Sequence, residues 1–235
     1  MKKDCLLLLI CVTLSACTTT RPIPGDLPAP EQERITQSLF DSKDRSLSEE
    51  NIQRLLDGTI ILPDTVRISV FKYGTPAANQ YYNQYWYNEE YLKVQQKYLD
   101  TLIAQIQKAE KVKRVVLMPS LMVSRSPTIT ELRESAVRLQ TDLLLVFSLH
   151  SDIYYKYKAF TKDDAKAFAT CETILMDIRT GVIPHSSVVT KENFTNKRST
   201  DLSVDETRKR AETGAVIQTL LESGKGVADF LQQIE

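Results

Sequence analysis

Glycine, histidine and cysteine are scarce in this 235-residue chain, and neither sign of charge is in excess. With only 7 glycines there is no Gly-rich loop to cradle a phosphate, and no dinucleotide fingerprint occurs. The 2 histidines, His150 and His185, stand far apart, and neither has a cysteine at ligand spacing, so no metal site is expected. Lys and Arg number 30 and Asp and Glu 30, a balance that argues against nucleic acid, whose binding proteins carry a basic stripe. Three of the 4 cysteines fall at Cys5, Cys11 and Cys17, leaving Cys171 alone in the body of the chain. No intramolecular disulfide can staple that body, and its stability must come from core packing. Hydrophobic content of 42% is enough for one sizeable core. No cofactor is expected.

The N-terminus carries an address. Lys2 and Lys3 precede a short apolar run, Cys5–Val12, well below the roughly 20 residues that span a bilayer. The segment ends in Leu14-Ser15-Ala16-Cys17, which resembles the lipobox of bacterial lipoproteins. The resemblance implies cleavage before Cys17, a diacylglycerol on its thiol and a palmitate-type acyl chain on its amine. Thr18 in place of Asp after the cysteine implies export to the outer membrane, with the domain lipid-anchored and facing the periplasm. Each buried methylene adds about 0.8 kcal/mol to such an anchor. Loss of residues 1–16 would leave 28 basic and 29 acidic residues. Thr18–Pro30, with four prolines and one glycine, reads as a tether of polyproline character. The chain thus divides into a signal peptide (1–16), lipidated Cys17 with its tether (17–30), a short helical preface (31–58) and a domain (59–235).

Periodicity orders the rest. Ser46 and Glu49 have capping-box spacing ahead of Ile52, Leu55 and Leu56, and Asp57-Gly58 stops that helix. Val66–Tyr73 alternates as a strand. From Asn88 to Lys108 a helical face runs through Leu92, Gln95, Leu99, Leu102, Ile103 and Ile106. Lys113–Met118 is a second strand, closed by Pro119, and Thr128 with Glu131 opens a helix through Leu132, Ala136 and Leu139. Asp142–Glu192 reads as a three-strand antiparallel meander with a tight turn at Asp177–Gly181. Leu143–Val146 is apolar on both faces, as a covered central strand would be. Ser203 and Glu206 open a closing helix that Gly224 and Gly226 are expected to kink. The fold class is therefore α/β (α+β): a single mixed sheet in the order β-α-β-α-β-β-β-α, helices packed on it, short helices before it.

Two stretches carry a family resemblance. Glu134–Leu149 (ESAVRLQTDLLLVFSL) resembles a helix–Asp–strand unit, and Ile174–Val182 (ILMDIRTGV) an "apolar strand, Asp, any, any, Thr-Gly" hairpin. Both are similar to a group of envelope lipoproteins: the curli secretion channel lipoprotein, penicillin-binding-protein activator lipoproteins and the TolB N-terminal domain. The resemblance implies an anticodon-binding-domain-like α/β fold used for protein contacts.

Chemistry-bearing residues are few. Ser148, His150 and Asp152 project from one strand face about 7 Å apart, too far for direct mutual hydrogen bonds. Cys171 shares a face with Ala167, Ala169, Thr173 and Leu175 and reads as a small core residue. Tyr154–Lys158 reads as an edge strand guarded by lysines, and Arg208-Lys209-Arg210 as a solvated helix face. Tyr81, Tyr82, Tyr85, Trp86 and Tyr87 are either the start of a core helix or a partner-binding surface. No catalytic residue is assigned. The expected function is that of a membrane-anchored, non-catalytic protein-binding accessory or assembly factor, partnered by the bilayer through Cys17 and by another envelope protein. The alternatives are a subunit of an oligomeric curli-channel-like complex, hence a homo-oligomer, and a glycan-acting hydrolase.

Overall fold

In the computed structural model, residues 49–74, 89–124, 126–156, 164–201 and 203–234 are described. A preface helix α1 (Glu49–Asp57) precedes β1 (Val66–Lys72), α2 (Glu89–Ile106), β2 (Val112–Leu117), α3 (Ile129–Arg138), β3 (Leu143–Lys156), β4 (Asp164–Asp177), β5 (His185–Asn196) and α4 (Val204–Gln233). The protein is an α/β fold with one five-stranded mixed sheet in the order β2-β1-β3-β4-β5. β1 lies parallel to β2 and β3, because each crossover carries a helix, whereas β3, β4 and β5 are antiparallel neighbours.

The alternation of β1 sorts the layers. Val66, Ile68 and Val70 face one way, with Leu143, Leu145 and Phe147 of β3, and pack against Leu102 and Ile106 of α2 and Leu220, Val227 and Leu231 of α4. Phe71, Leu144, Val146 and Met176 face the other way, against Leu132 and Ala136 of α3. Leu143–Phe147 is buried on both faces, as its unbroken apolar run requires.

Capping chemistry fixes the helix ends. Thr128 and Ser203 accept hydrogen bonds from the backbone N–H of Glu131 and Glu206. The carboxylate of Glu131 turns away to Ser124, so this capping box is only half closed. α3 ends where Gln140 takes φ 55°, and the Thr141 hydroxyl then donates to the Ala136 carbonyl at 3.0 Å. Ser46 lies outside the described residues.

Past Phe147 the sheet changes character. β1 makes its last backbone bond there, from Tyr73 N–H to the Phe147 carbonyl at 2.7 Å. β3 and β4 continue as partners out to Lys156 and Asp164, with β5 beside them. These three strands form a wing beyond the parallel half. α4 covers one face of it by close approach: Ala165, Ala167, Ala169 and Cys171 lie against Ala211 and Ala215. The Thr219 hydroxyl reaches the Ala169 carbonyl at 3.0 Å. Among the described residues no helix covers the other face.

Three expectations need correction. On α2, Leu102 and Ile106 are buried and Leu99 packs against the core as expected, with Tyr98 beside them, but Leu92 in the first turn is 63% exposed. Arg210 is not solvated: it forks onto Asp201, whose side chain is 2% exposed, and donates to the Asn196 carbonyl, tying the first turns of α4 to the end of β5. The glycines do not interrupt α4, which runs unbroken for 30 residues. Gly224 serves contact instead, since a Cβ there would lie 2.7 Å from the Gln105 Cβ and 3.1 Å from the Leu102 carbonyl oxygen.

The two glycines should therefore respond oppositely to alanine. Gly224→Ala must push α2 from α4 and is expected to cost on the order of 1–3 kcal/mol. Gly226→Ala meets nothing within 4 Å and should gain up to about 1 kcal/mol of helix propensity. Urea midpoints decide it, and a Gly224→Ala midpoint equal to the parent's would refute the close approach.

Candidate functional site

The two motifs read separately in the sequence meet at one junction. Asp142, at the start of β3, receives the Arg67 guanidinium in a two-pronged contact, Nε and Nη2 each at 2.9 Å. The Arg67 backbone N–H adds a bond at 3.0 Å, and Arg179 Nη2 approaches at 3.3 Å. Arg67 holds the Asp142 carboxyl below its usual range, first through the side-chain hydrogen bonds and further through charge. Backbone ties close the same place: Asp142 N–H donates to the Arg67 carbonyl at 2.7 Å, and Ile178 N–H to the Asp142 carbonyl at 3.2 Å.

Asp177 builds the turn that brings Arg179 there. Its carboxylate accepts from the Thr180 hydroxyl at 2.5 Å and from the backbone N–H groups of Arg179 and Thr180 at 3.2 Å each. Gly181 takes φ 78° to finish the turn. Arg133 of α3 caps it from outside, donating to the carbonyls of Ile178 and Arg179. Sequence reasoning found both aspartates but missed the three arginines. Only Arg179, inside the hairpin motif, carried a local signal, since Arg67 pairs with Asp142 across 75 positions.

The catalytic candidates do not converge. Ser148 donates to Glu172 at 3.4 Å, Asp152 accepts from the Ile153 backbone N–H at 2.8 Å, and His150 is exposed. Cys171 is wholly buried beneath α4, and burial pushes its thiol up, away from the thiolate. His185 stacks on Phe230 with ring centres 5.1 Å apart. Burial lowers its pKa from 6.5, and its Nε2 has no hydrogen-bond partner among the described residues. Among the described residues no group of three or more His, Cys, Asp or Glu could hold a metal.

Among the described residues the open face of the wing is covered by no helix. Cross-strand pairing sets His150, Thr170 and Thr190 in one row and Asp152, Phe168 and Glu192 in the next. A further row holds Tyr154, Lys166 and Phe194. Tyr154, Val188 and Phe194 are 57%, 70% and 60% exposed. Tyr154 stands edge-on to Phe168 at 5.6 Å, while Lys166 lies over that ring at 4.7 Å and reaches Glu192 at 2.6 Å. Cys17 and the run Tyr81, Tyr82, Tyr85, Trp86 and Tyr87 lie outside the described residues.

The buried His185 makes stability depend on pH. With its folded pKa below 6.5, the unfolded chain takes up the proton first, so stability is full above that value and falls as pH drops through the window beneath it. His185→Phe keeps a ring against Phe230 and should remove this part of the acid loss. Urea midpoints at neutral pH and about one unit below the histidine value test it. An unchanged slope in the variant would exclude His185 as its source.

No protein-family model matches the chain, and no curated protein matches it. Solved structures to which the chain is similar include the PelC dodecamer from Paraburkholderia phytofirmans, 12% identical over 73% of this chain and 92% of that one, TM-score 0.34. The hypothetical protein CT253 from Chlamydia trachomatis is 11% identical over 70% and 98%, TM-score 0.41. Lipoprotein GNA1162 from Neisseria meningitidis is 12% identical over 67% and 96%, TM-score 0.33. Likeness this loose carries nothing about function to this chain.

Proposed function

We propose that this chain is an outer-membrane-anchored lipoprotein of the bacterial envelope, facing the periplasm, whose domain acts as a non-catalytic protein-binding accessory or assembly factor. The observation that carries the protein-binding reading is the wing: three strands running past the helical core with Tyr154, Val188 and Phe194 exposed on an open face. Exposed aromatic and β-branched side chains on a rigid sheet supply contact area at low entropic cost. Larger exposed apolar patches mark interaction sites. The run Tyr81–Tyr87 follows in sequence on β1, whose last backbone bond is made at the root of this wing. We assign both to partner contact. The membrane address rests on the lipobox ending in Cys17 and the proline-rich tether after it.

A second reading, a subunit of an oligomeric curli-channel-like complex, is favoured by strand length. β3, β4 and β5 hold 14, 14 and 12 residues, and membrane strands need about 9–11. Charge opposes it, with Lys166, Glu172 and Glu192 on one face of the wing and Lys191 on the other.

Two experiments separate the parts of this proposal. Cys17→Ala should move the protein from the membrane fraction to the soluble fraction, and a membrane fraction unchanged by the substitution would refute the anchor. Photo-crosslinking residues at positions 81, 85, 86 and 154 should give adducts with one foreign envelope protein. Adducts only with further copies would favour the pore, and none at all would remove these positions from any interface.

A further inference from the structure

The two outer strands of the sheet are finished differently. β2 is blunt: 6 residues long, carrying Lys113 and Arg114, with Pro119 two positions past its end. Short, proline-ended edges of this kind prevent unwanted pairing. β5 also carries two charges, Lys191 and Glu192, but it is twice as long and unbroken. It pairs with β4 through twelve consecutive positions, from Leu175 opposite His185 to Asp164 opposite Asn196, with no register shift. Its 12 residues hold no proline and no glycine, and among the described residues nothing pairs with its outer side. A long flat edge with exposed apolar side chains is a template for another strand.

The side chains of β5 specify which strand. On the open face its apolar residues are Val188 and Phe194, spaced symmetrically about Lys191. An antiparallel copy of β5, related by a two-fold axis through the sheet at Lys191, sets each Val188 opposite the other copy's Phe194. Thr190 then faces Glu192. A slip of two residues sets Val188 against Glu192 or Asn196 and leaves Phe194 against Ser186 or Thr190. A slip of one residue opposes side chains from different faces. Only the register centred on Lys191 pairs both apolar residues, and aromatic–β-branched cross-strand pairs are favourable.

The α4 side tolerates this register. The two Lys191 side chains meet near the axis, each with its own Glu222 carboxylate at 4.0 Å, so two cations and two anions face each other. We infer that β5 pairs with β5 of a second copy in an antiparallel, two-fold arrangement centred on Lys191, joining two wings into one six-stranded sheet. A foreign strand has no reason to reproduce the spacing of Val188 and Phe194, whereas a second copy does so by symmetry. The inference is independent of the lipid anchor and of any envelope partner.

Disulfide trapping in the full chain, purified in detergent, tests the pairing and its register. Residues opposed across an antiparallel pair have Cα atoms about 4.5–5.5 Å apart, within disulfide reach. Lys191→Cys should therefore oxidise to a covalent dimer. Ser187→Cys alone should not, but mixed with Thr195→Cys it should give a crosslinked heterodimer of the two variants. Cys171, buried under α4, stays inert. Light scattering on the unsubstituted chain should give a dimer at tens of micromolar, and Phe194→Lys should give a monomer with an unchanged circular dichroism spectrum. A monomeric parent whose Lys191→Cys variant fails to crosslink overturns the inference, even if it captures another protein. Crosslinking of Ser187→Cys to itself overturns the register. Either failure leaves the adducts expected from positions 81 and 86 untouched.

Discussion

The burial of Leu143–Phe147 on both faces is the constraint on which the other elements depend. Five successive apolar residues cannot be satisfied by one covering layer, because alternate side chains point to opposite sides of the sheet. α2 and α4 must close one side and α3 the other, and β1 must lie alongside to pair the backbone. The Asp142 junction stands at the start of this stretch. There the carboxylate takes guanidinium groups from the neighbouring strand and from the β4–β5 turn, so strand and hairpin are fixed by the same charge. A carboxylate 8% exposed needs such partners, since an unpaired charge at that depth is expensive.

The same strand serves a different purpose past Phe147. From Ser148 the apolar run yields to alternation, β1 drops away, and only the α4 side remains closed. Alanines and Cys171 let α4 lie close to the sheet there, and Gly214 leaves room for Asn193 to reach the Ala211 carbonyl at 3.2 Å. The helix closes that face of the wing, and among the described residues no helix covers the other. Among the described residues the polar groups of the wing pair across strands and do not converge.

What could be read from the sequence was what is local. The strand of Val66–Tyr73, the caps at Thr128 and Ser203, the turn at Asp177–Gly181 and the doubly covered start of β3 all depend on neighbours within a few positions. The misses are of another kind. The face of α2 is set by where α4 lies, so Leu92 fits the helical period and is still left outside. Arg210 sits in a basic triplet with the composition of a solvated face, and only the return of β5 beside Asp201 shows its pairing. Gly224 looks like a helix breaker until Gln105 is placed opposite it. Of the candidate site, Asp142 and Asp177 were legible and their arginines were not. Val188 and Phe194 had the right alternation, but which strand would lie at the edge is a fact of topology.

That topology decides where the sheet can grow. Strand order puts β2 and β5 at the two margins, and the short, charged, proline-ended β2 cannot accept another strand without loss. Extension is left to the β5 side, where length, regularity and exposed apolar residues coincide. Head-to-tail addition of margin to margin would need β2 and would not terminate by itself, whereas pairing of β5 with itself consumes that margin in each copy. A margin that pairs with its own copy therefore allows assembly and also limits it. The lysine at the centre of β5 adds to that limit: paired with Glu222 on its own helix, it is tolerated near a two-fold axis and discourages registers that place it against apolar neighbours.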